Sequence, residues 1–233
     1  MIAPQSGLEA TLVARAILYR FLALAFQEPG EALMNSLTSN LRQELMAAAN
    51  HLDLATETNE LSQTVGKLLA SIPSAGWLVS DMRVEYTRLF VGPGMMPCPP
   101  YESVFDQNRP EADRGTVQGP CAKSMEDNLS AEGLVIDLGR VELADHVAIE
   151  LEWMAYLLAQ AVKTSPDSNM GQVSRADAFL NDHLATWLPE FGQKVVDNAK
   201  HPFFASLGEV LKAFIASEVA FAKLNLLEEE VPV

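Results

Sequence analysis

The segment at 142–146 reads E-L-A-D-H and carries residue types that bind metals or transfer protons. It brings Glu142, Asp145 and His146 close together in sequence, and Glu150 follows one helical turn later. Carboxylates and imidazoles are common ligands of divalent cations and common acids and bases in enzymes. Di-iron helical bundles use Glu-x-x-His motifs from two helices, whereas here His146 follows Glu142 at four positions instead of three. The spacing therefore argues against a metal site.

Catalysis by an Asp–His dyad is not favoured by this spacing either. Asp145 and His146 are direct neighbours, and neighbouring side chains on a helix point about 100° apart. The chain has no Gly-x-Ser-x-Gly elbow and no phosphate-binding P-loop. Its two cysteines, Cys98 and Cys121, match no zinc or redox spacing. The sequence thus predicts a protein that is not an enzyme and that uses no metal or cofactor.

A second Asp–His pair, Asp182 and His183, reads as part of a packed helix face. Phe179, His183, Trp187 and Phe191 recur at a spacing of four, which places them on one side of a helix. No glutamate lies three positions before His183, so the Glu-x-x-His motif is missing here too. We therefore expect His183 to be a packed histidine and not a ligand.

The stretch at 85–106, EYTRLFVGPGMMPCPPYESVFD, predicts a helix that runs into a stiff, proline-rich loop. Gly92, Pro93 and Gly94 end the helix, and prolines then recur as far as Pro100. Proline fixes its own φ angle and donates no backbone hydrogen bond. A rigid surface of apolar rings with spare carbonyl groups is suited to holding a peptide and poorly suited to catalysis.

Helical periodicity dominates the elements that must position these residues, and no alternating strand pattern is present. It predicts an all-α helical bundle of about eight to ten helices in a single domain, 1–233, with a possible hinge at 106–118. The central, buried helix is expected at 141–162, because it is apolar nearly all round. A loop is expected at 164–172. The other helices are expected at about 12–26, 31–49, 58–71, 76–91, 119–133, 174–188, 190–198 and 202–229.

The charge balance limits the possible partners. The chain has 16 Lys and Arg against 31 Asp and Glu, a net charge of −15. Such a surface repels nucleic acid and anionic membranes and attracts a basic partner. The longest apolar tract is interrupted by Arg15 and Arg20, and the first ten residues lack the features of a secretory signal. We expect a cytoplasmic protein with no nucleic-acid partner and no stable membrane insertion.

Three motifs together resemble one family. The loop L-F-V-G-P-G with P-x-P-P-Y-E-S-V resembles the signature of the TorD/DmsD/NarJ-type cytoplasmic chaperones, which serve the maturation of molybdenum-cofactor redox enzymes. E-L-A-D-H at 142–146 is similar to their Glu-Pro-x-Asp-His motif, with Leu143 in place of the proline. H-L-x-x-W-L-P-x-F, beginning at His183, fits their C-terminal half. The resemblance covers most of the chain.

This resemblance implies an all-α fold without catalysis or cofactor, and a partner protein. Such chaperones bind the twin-arginine signal peptide and folding intermediate of a molybdopterin oxidoreductase catalytic subunit, and hold it until its cofactor is inserted. A monomer or a dimer would be compatible with this role. The binding residues implied by the two motifs, together with those expected from their chemistry, are Tyr86, Leu89, Phe90, Pro93, Pro100, Tyr101, Glu102, Ser103, Glu142, Asp145, His146 and Trp153.

The chemistry of a twin-arginine peptide suggests how these residues divide the work. Two guanidinium groups beside an apolar stretch call for carboxylates beside an apolar groove. Asp145 is the expected arginine contact, assisted by Glu142 or Glu102, and the aromatic residues line the groove. His146 could orient Asp145 or tune binding near neutral pH. Two alternatives stay open: a metal- or nucleotide-dependent enzyme built on a helical bundle, and a structural subunit retained in a redox complex.

Overall fold

The computed structural model describes residues 7–38, 40–72, 79–94, 96–136, 143–164 and 166–229. Throughout these residues the regular structure is helical, and the one extended pairing is an isolated antiparallel bridge between Tyr101 and His146. This confirms the all-α prediction. The single domain and the hinge at 106–118 stay predictions, although that segment is largely exposed.

Eleven α-helices lie within the described residues and are numbered here in chain order. The first half contains α1 (Gly7–Ala25), α2 (Glu31–Thr38), α3 (Leu41–Ala55), α4 (Glu60–Ser71), α5 (Val79–Tyr86) and α6 (Glu102–Phe105). The second half contains α7 (Pro120–Ala131), α8 (Val147–Lys163), α9 (Pro166–Phe179), α10 (Ala185–Asn198) and α11 (Pro202–Glu229). A π-helical turn at Thr87–Val91 extends α5, and another at Leu180–Leu184 joins α9 to α10.

Helix α8 forms the centre of the bundle. It packs along α1 on one side and against α9 on another, while α10 and α11 pair and α11 lies on α4. Leu151, Met154 and Leu158 on α8 are fully buried. A helix that is apolar around most of its circumference is stable only when other elements cover it, which explains its central place.

The first and last helices are joined by a buried ion pair. Arg15 on α1 donates through Nε to both carboxylate oxygens of Glu218 on α11, at 2.9 Å each. Its Nη2 lies 3.3 Å from Asp177 on α9. Arg15 and Glu218 are 0% and 1% exposed, so this contact ties three helices together inside the core.

The central helix begins six residues later than the sequence pattern predicts. The predicted start at 141 was wrong, because α8 begins at Val147 with His146 as its N-cap. Asp145 and His146 precede the helix, and the carbonyl of Asp145 and the N–H of Val147 bond to the proline-rich loop. Asp145 and His146 therefore do not share a helix face with Trp153, whereas a helix over 141–162 would have placed all three on one face.

Three other helix boundaries differ from the prediction. The helix expected at 31–49 is divided into α2 and α3 near Asn40, and asparagine and serine favour helix ends. The loop expected at 164–172 is wrong, since α9 starts at Pro166, where a proline at the first helical position fits well. The break expected near Pro189 does not occur, because α10 continues through it after the preceding π turn.

None of the helices in the described part of the chain combines the length and the apolar character needed to cross a bilayer.

Candidate functional site

The proline-rich loop is docked by its backbone onto the start of α8. The backbone N–H of Glu102 donates to the carbonyl of Asp145 at 3.0 Å, and that of Val147 donates to the carbonyl of Pro100 at 2.9 Å. These two bonds flank the bridge between Tyr101 and His146. The two sequence motifs, more than forty residues apart in the chain, therefore meet in one place.

Asp145 and His146 hold this junction with their side chains as well. The Oδ2 atom of Asp145 accepts a hydrogen bond from the backbone N–H of Ser103 at 2.9 Å. Its Oδ1 atom is buried and has no hydrogen-bond partner among the described residues. Nδ1 of His146 accepts from the N–H of Ala148 at 3.2 Å and so caps α8, while the Tyr101 ring packs edge-on against the imidazole at 5.3 Å. Asp145 and His146 are buried, whereas Tyr101 is half-buried.

The helix before the loop supplies the floor of the junction. Tyr86, Leu89 and Phe90 are buried, and the Phe90 ring packs against Phe26 at 6.1 Å and Phe191 at 6.1 Å. These aromatic residues form core contacts beneath the loop, and they do not line an open groove in this conformation.

Two glycines allow the chain to turn from that helix into the loop. Gly92 and Gly94 have φ angles of 100° and 98°, which a residue with a side chain rarely adopts. The N–H of Gly92 closes the π turn on the carbonyl of Thr87 at 2.8 Å. The N–H of Cys98 then bonds the carbonyl of Leu89 at 3.1 Å, which folds the loop back on its own helix. Pro93, between the two glycines, is exposed.

A buried acidic cluster lies directly behind the loop. Glu102, Glu150 on α8 and His183 in the second π turn each offer one oxygen or nitrogen atom, and these atoms lie within 4.8 Å of one another. Nδ1 of His183 is 2.9 Å from Oε2 of Glu102. The indole N–H of Trp187 donates to Oε2 of Glu150 at 3.0 Å, and Oε1 of Glu150 has no donor near it among the described residues.

The cluster shifts the protonation of two of its members. Complete burial, followed by the charge of the nearby Glu102 carboxylate, raises the pKa of Glu150 well above its usual value. Burial alone would lower the pKa of His183. The hydrogen bond to Glu102 and the charge of that residue outweigh burial and raise the pKa of His183. Both groups therefore hold a proton more tightly here than in water.

The cluster opens into a cavity of about 310 Å³. Glu102, His183 and Trp187 line it, and Asp106 and Asp182 add two more carboxylates to its wall. The cavity can therefore admit a small cation or a water molecule to the buried cluster.

A groove of predominantly apolar character runs along another side of α8. Its first part, about 520 Å³, is lined by Ile149 and by Trp153, whose ring stacks on Tyr156 at 5.4 Å. A second part of about 620 Å³ follows along α1 and shares Tyr156 and Glu152 with the first. Val135, at the edge of the groove, is 90% exposed. Trp153 therefore belongs to this groove and not to the loop junction.

Comparison with known proteins places this architecture in a family. The profile described as "nitrate reductase delta subunit" matches residues 51–193, which is more than half of the chain. The chain belongs to the nitrate reductase delta subunit family.

Two related sequences that carry a name align with most of the chain. "Chaperone protein TorD" of Vibrio cholerae is 26% identical over 207 residues, which is 88% of this chain and 90% of that protein. "Chaperone protein TorD" of Aliivibrio fischeri is 24% identical over 169 residues, 71% of this chain and 76% of that protein. A crystal structure from Archaeoglobus fulgidus, described as a proposed redox enzyme maturation protein, is 22% identical, covers 87% of this chain and 93% of its own, and has a TM-score of 0.48. The resemblance to TorD-type chaperones drawn from the motifs is confirmed.

The structure gathers only some of the predicted site residues of this family member. Half of them lie together at the loop junction: Pro100, Tyr101, Glu102, Ser103, Asp145 and His146. Three others, Tyr86, Leu89 and Phe90, lie beneath the loop, while Pro93 lies at its exposed start and Trp153 in the groove. Glu142 falls outside the described residues.

Sequence reasoning missed four residues that the family fold brings to this region. Glu150 was weighed only with its neighbours in sequence, and His183 and Trp187 only as a packed face. The ring of His183 does stack on Phe179 at 4.8 Å, yet its Nδ1 atom also contacts Glu102. A glutamate in an otherwise apolar, fully covered stretch of helix was the available signal for Glu150.

Glu85 is the fourth missed residue. It lies in the last turn of α5, the helix that leads to the loop. It accepts from Arg88 at 2.7 Å and from the backbone N–H groups of Lys200 and His201 at 2.5 and 3.2 Å. Burial would raise its pKa, but the hydrogen bonds from these three residues prevail and lower it to about 2. This carboxylate is fully satisfied, which indicates a structural role.

The two thiols are held in their neutral forms. Cys98 is fully buried and donates to the carbonyl of Lys194 at 3.2 Å. Burial raises its pKa to about 11, and burial also raises the pKa of Cys121. A neutral thiol is a weak nucleophile, so neither residue is placed for chemistry.

Proposed function

We propose that this protein is a cytoplasmic chaperone that binds the twin-arginine signal peptide of a molybdenum-cofactor oxidoreductase and keeps the enzyme from export until it is mature. The observation that carries the proposal is the junction of the proline-rich loop with the start of α8. There, buried carboxylates lie on one side and an apolar groove begins on the other. The family membership and the alignment with chaperones over 88% of the chain support the same conclusion.

The groove along α8 is suited to the apolar part of such a peptide. An amphipathic or apolar helix binds by laying its side chains into a hydrophobic groove, with a few aromatic anchors. The stacked pair Trp153 and Tyr156 offers such an anchor, and Ile149 extends the surface toward the loop. The two parts of the groove share Glu152 and Tyr156, so a peptide of several helical turns has a continuous path.

The carboxylates at the junction are proposed to meet the arginine pair. Asp145 is the main contact, with Glu102 and Glu142 assisting. Its buried Oδ1 atom lacks a donor among the described residues, and a guanidinium group would supply one. Asp145 is 0% exposed, so side chains at the junction must move aside when the peptide arrives. The half-buried Tyr101 ring, which packs on His146, is the proposed moving part.

The charge of the chain supports a basic ligand from a distance. A net charge of −15 attracts a cationic peptide and speeds the first encounter. Specificity then depends on the contacts at the junction, because long-range attraction does not distinguish one basic peptide from another.

The test is calorimetric titration of the full-length protein with a synthetic peptide that carries two adjacent arginines followed by an apolar stretch. The proposal predicts saturable binding at one peptide per chain. A matched peptide with two glutamines in place of the arginines should bind at least tenfold more weakly, since a buried charge pair contributes on the order of 2 kcal/mol or more. Equal binding of both peptides would refute the arginine contact, and absence of binding to either would refute the peptide site.

A further inference from the structure

The cluster behind the loop has the composition of a metal site. We propose that Glu102, Glu150 and His183 bind one divalent transition-metal ion of the kind that accepts mixed oxygen and nitrogen ligands, with Zn²⁺ as the reference case. This goes beyond peptide binding, which is proposed to centre on Asp145 and the groove; Glu102 is the one residue assigned to both sites.

The three ligand atoms are close enough to share one ion. They lie within 4.8 Å of one another, and His183 Nδ1 is 2.9 Å from Glu102 Oε2. Zinc binds carboxylate oxygen and imidazole nitrogen at about 2.0–2.2 Å, which places two ligands of the same ion about 3–3.5 Å apart. Small rotations of the side chains would therefore bring all three atoms to bonding distance.

The electrostatics of the cluster favour a cation between the carboxylates. Glu102 and Glu150 are 4% and 0% exposed, so water cannot screen their repulsion. Trp187 satisfies one oxygen of Glu150 and leaves Oε1 without a donor among the described residues. A buried, unpaired carboxylate oxygen is costly, and a bound cation is one of the few partners that would remove the cost.

The ligands come from three elements that are each fixed by other contacts. Glu102 is held by the backbone bond from its N–H to the Asp145 carbonyl, and Glu150 lies fully buried in the first turn of α8. Trp187 orients the Glu150 carboxylate, and the Phe179 ring supports His183 by stacking. Such supporting contacts around the ligands are typical of metal sites, because they hold the ligands in place before the ion arrives.

The cavity of about 310 Å³ gives the ion a way in and leaves room for a further ligand. Three protein ligands leave a fourth position for water or for a donor from a partner, which is the arrangement of exchangeable sites and not of closed structural ones. Oxygen and nitrogen ligands favour Zn²⁺, Mn²⁺ or Fe²⁺ over Cu⁺. The sequence-based expectation of no metal site considered motifs within single helices, whereas these ligands come from separate parts of the chain.

The experiment is titration of untagged, EDTA-treated, full-length protein with ZnCl₂, and separately with MnCl₂, by calorimetry. We expect one Zn²⁺ per chain. Glu150→Gln and His183→Ala should each weaken binding by tenfold or more, because each removes a ligand. Asp182→Asn is the matched control: it removes a carboxylate next to His183 that is not among the three ligands, and it should leave the affinity within about twofold.

A spectroscopic arm locates the ion and guards against misfolded variants. Co²⁺ added to the wild type should give visible absorption bands that His183→Ala changes in shape, while the thermal melt of that partly exposed variant stays close to wild type. Absence of saturable uptake of Zn²⁺ and Mn²⁺, or equal uptake by wild type and both ligand variants, would overturn the proposal and leave a shared proton between the two carboxylates. Metal uptake by itself does not make the protein an enzyme, and peptide binding is tested separately.

Discussion

Two buried glutamates in the same bundle have opposite environments. Glu218 on α11 is 1% exposed, and both of its carboxylate oxygens accept from the Arg15 Nε–H at 2.9 Å. Glu150 on α8 is 0% exposed, faces the Glu102 carboxylate and receives one hydrogen bond, from Trp187. The first is paired with a cation from its own chain, and the second is not.

The difference distinguishes glutamates that stabilise the fold from glutamates that are available to a ligand. A buried carboxylate with a full set of partners, such as Glu218 or Glu85, holds helices together and needs nothing from outside. A buried carboxylate that lacks partners costs free energy, and folded proteins keep such groups mainly where a ligand, a metal or a proton will use them. Among the buried carboxylates, this criterion supports the proposal that the region behind the loop, which contains Glu150 and the Asp145 Oδ1 atom, is the binding part of the bundle.

The largest expected effect is on stability and comes from breaking the ion pair between Arg15 and Glu218. Arg15→Met leaves Glu218 buried without its cation and should lower the free energy of unfolding by about 3–5 kcal/mol, measured by urea denaturation. The double variant Arg15→Met/Glu218→Met removes both charges and should recover most of that loss. A single variant that loses less than about 1 kcal/mol would show that the pair is not what holds α1 to α11.

The next largest effect is expected at the junction of the loop with α8, and it is on peptide binding instead of folding. Tyr101→Ala removes the half-buried aromatic ring at the junction and should weaken binding of the twin-arginine peptide by about 2 kcal/mol, as for other aromatic anchors. Asp145→Asn should weaken it by a similar amount, because the guanidinium loses its carboxylate. Peptide titration measures both, with thermal melts as the folding control.

Cys98→Ser and Cys121→Ser are the controls for that comparison and should bind the peptide like the wild type. Wild-type affinity in both Tyr101→Ala and Asp145→Asn would place the peptide elsewhere on the molecule. Loss of binding in Cys98→Ser with an unchanged melt would point instead to a role for the thiol.

The pH dependence of stability should distinguish Glu150 and His183 from Glu85. The folded-state pKa values of Glu150 and His183 are raised, so both groups stabilise the fold at low pH. That contribution should be lost as pH rises above 4.5 for Glu150 and above 6.5 for His183, their ordinary values. Glu85, with its pKa lowered to about 2, acts in the opposite direction and loses its contribution only as pH falls from 4.5 toward 2.

Urea denaturation from pH 5 to pH 9, in metal-free buffer, measures the loss of stability expected from Glu150 and His183. Glu150→Gln mimics the protonated side chain, so its free energy of unfolding should decline less with rising pH than that of the wild type. Parallel pH profiles for the two proteins would contradict the raised pKa of Glu150.

The smallest expected effect is that of salt on peptide binding. Attraction between exposed charges is screened beyond about 10 Å at 0.1 M ionic strength, so affinity should fall modestly between low and high salt. Most of the change should lie in the association rate, which stopped-flow fluorescence measures. An affinity and association rate independent of salt would show that the net charge plays no part in recognition.

The sequence predicted the helical fold well, because apolar periodicity reports directly on which helix faces are covered. It failed where tertiary contacts override local pattern. The pattern of α8 extends back to 141, yet the loop bonds the carbonyl of Asp145 and the N–H of Val147, and the helix begins only at Val147. The loop expected at 164–172 looked polar enough to be irregular, but its proline suits a helix start.

The candidate site also has a part that the sequence predicts and a part that it does not. The motifs around Tyr101 and Asp145 are recognisable as sequences, so their meeting at the junction could be expected from the family resemblance. The contact between Glu102 and His183 joins residues 81 positions apart and belongs to no motif of fixed spacing. Only the packing of α6, α8 and the second π turn brings these groups together, which no local pattern encodes.

The central claim is that the proline-rich loop and α8 form one peptide site, and hydrogen–deuterium exchange with and without the twin-arginine peptide tests it most directly. The account predicts slower exchange at 98–105, at 143–149 and along the groove around Trp153 when the peptide binds. It predicts no change in the middle of α11, where Val210, Leu211 and Phe214 are fully buried. Protection confined to other surfaces, with unchanged exchange at both the loop and the start of α8, would contradict it.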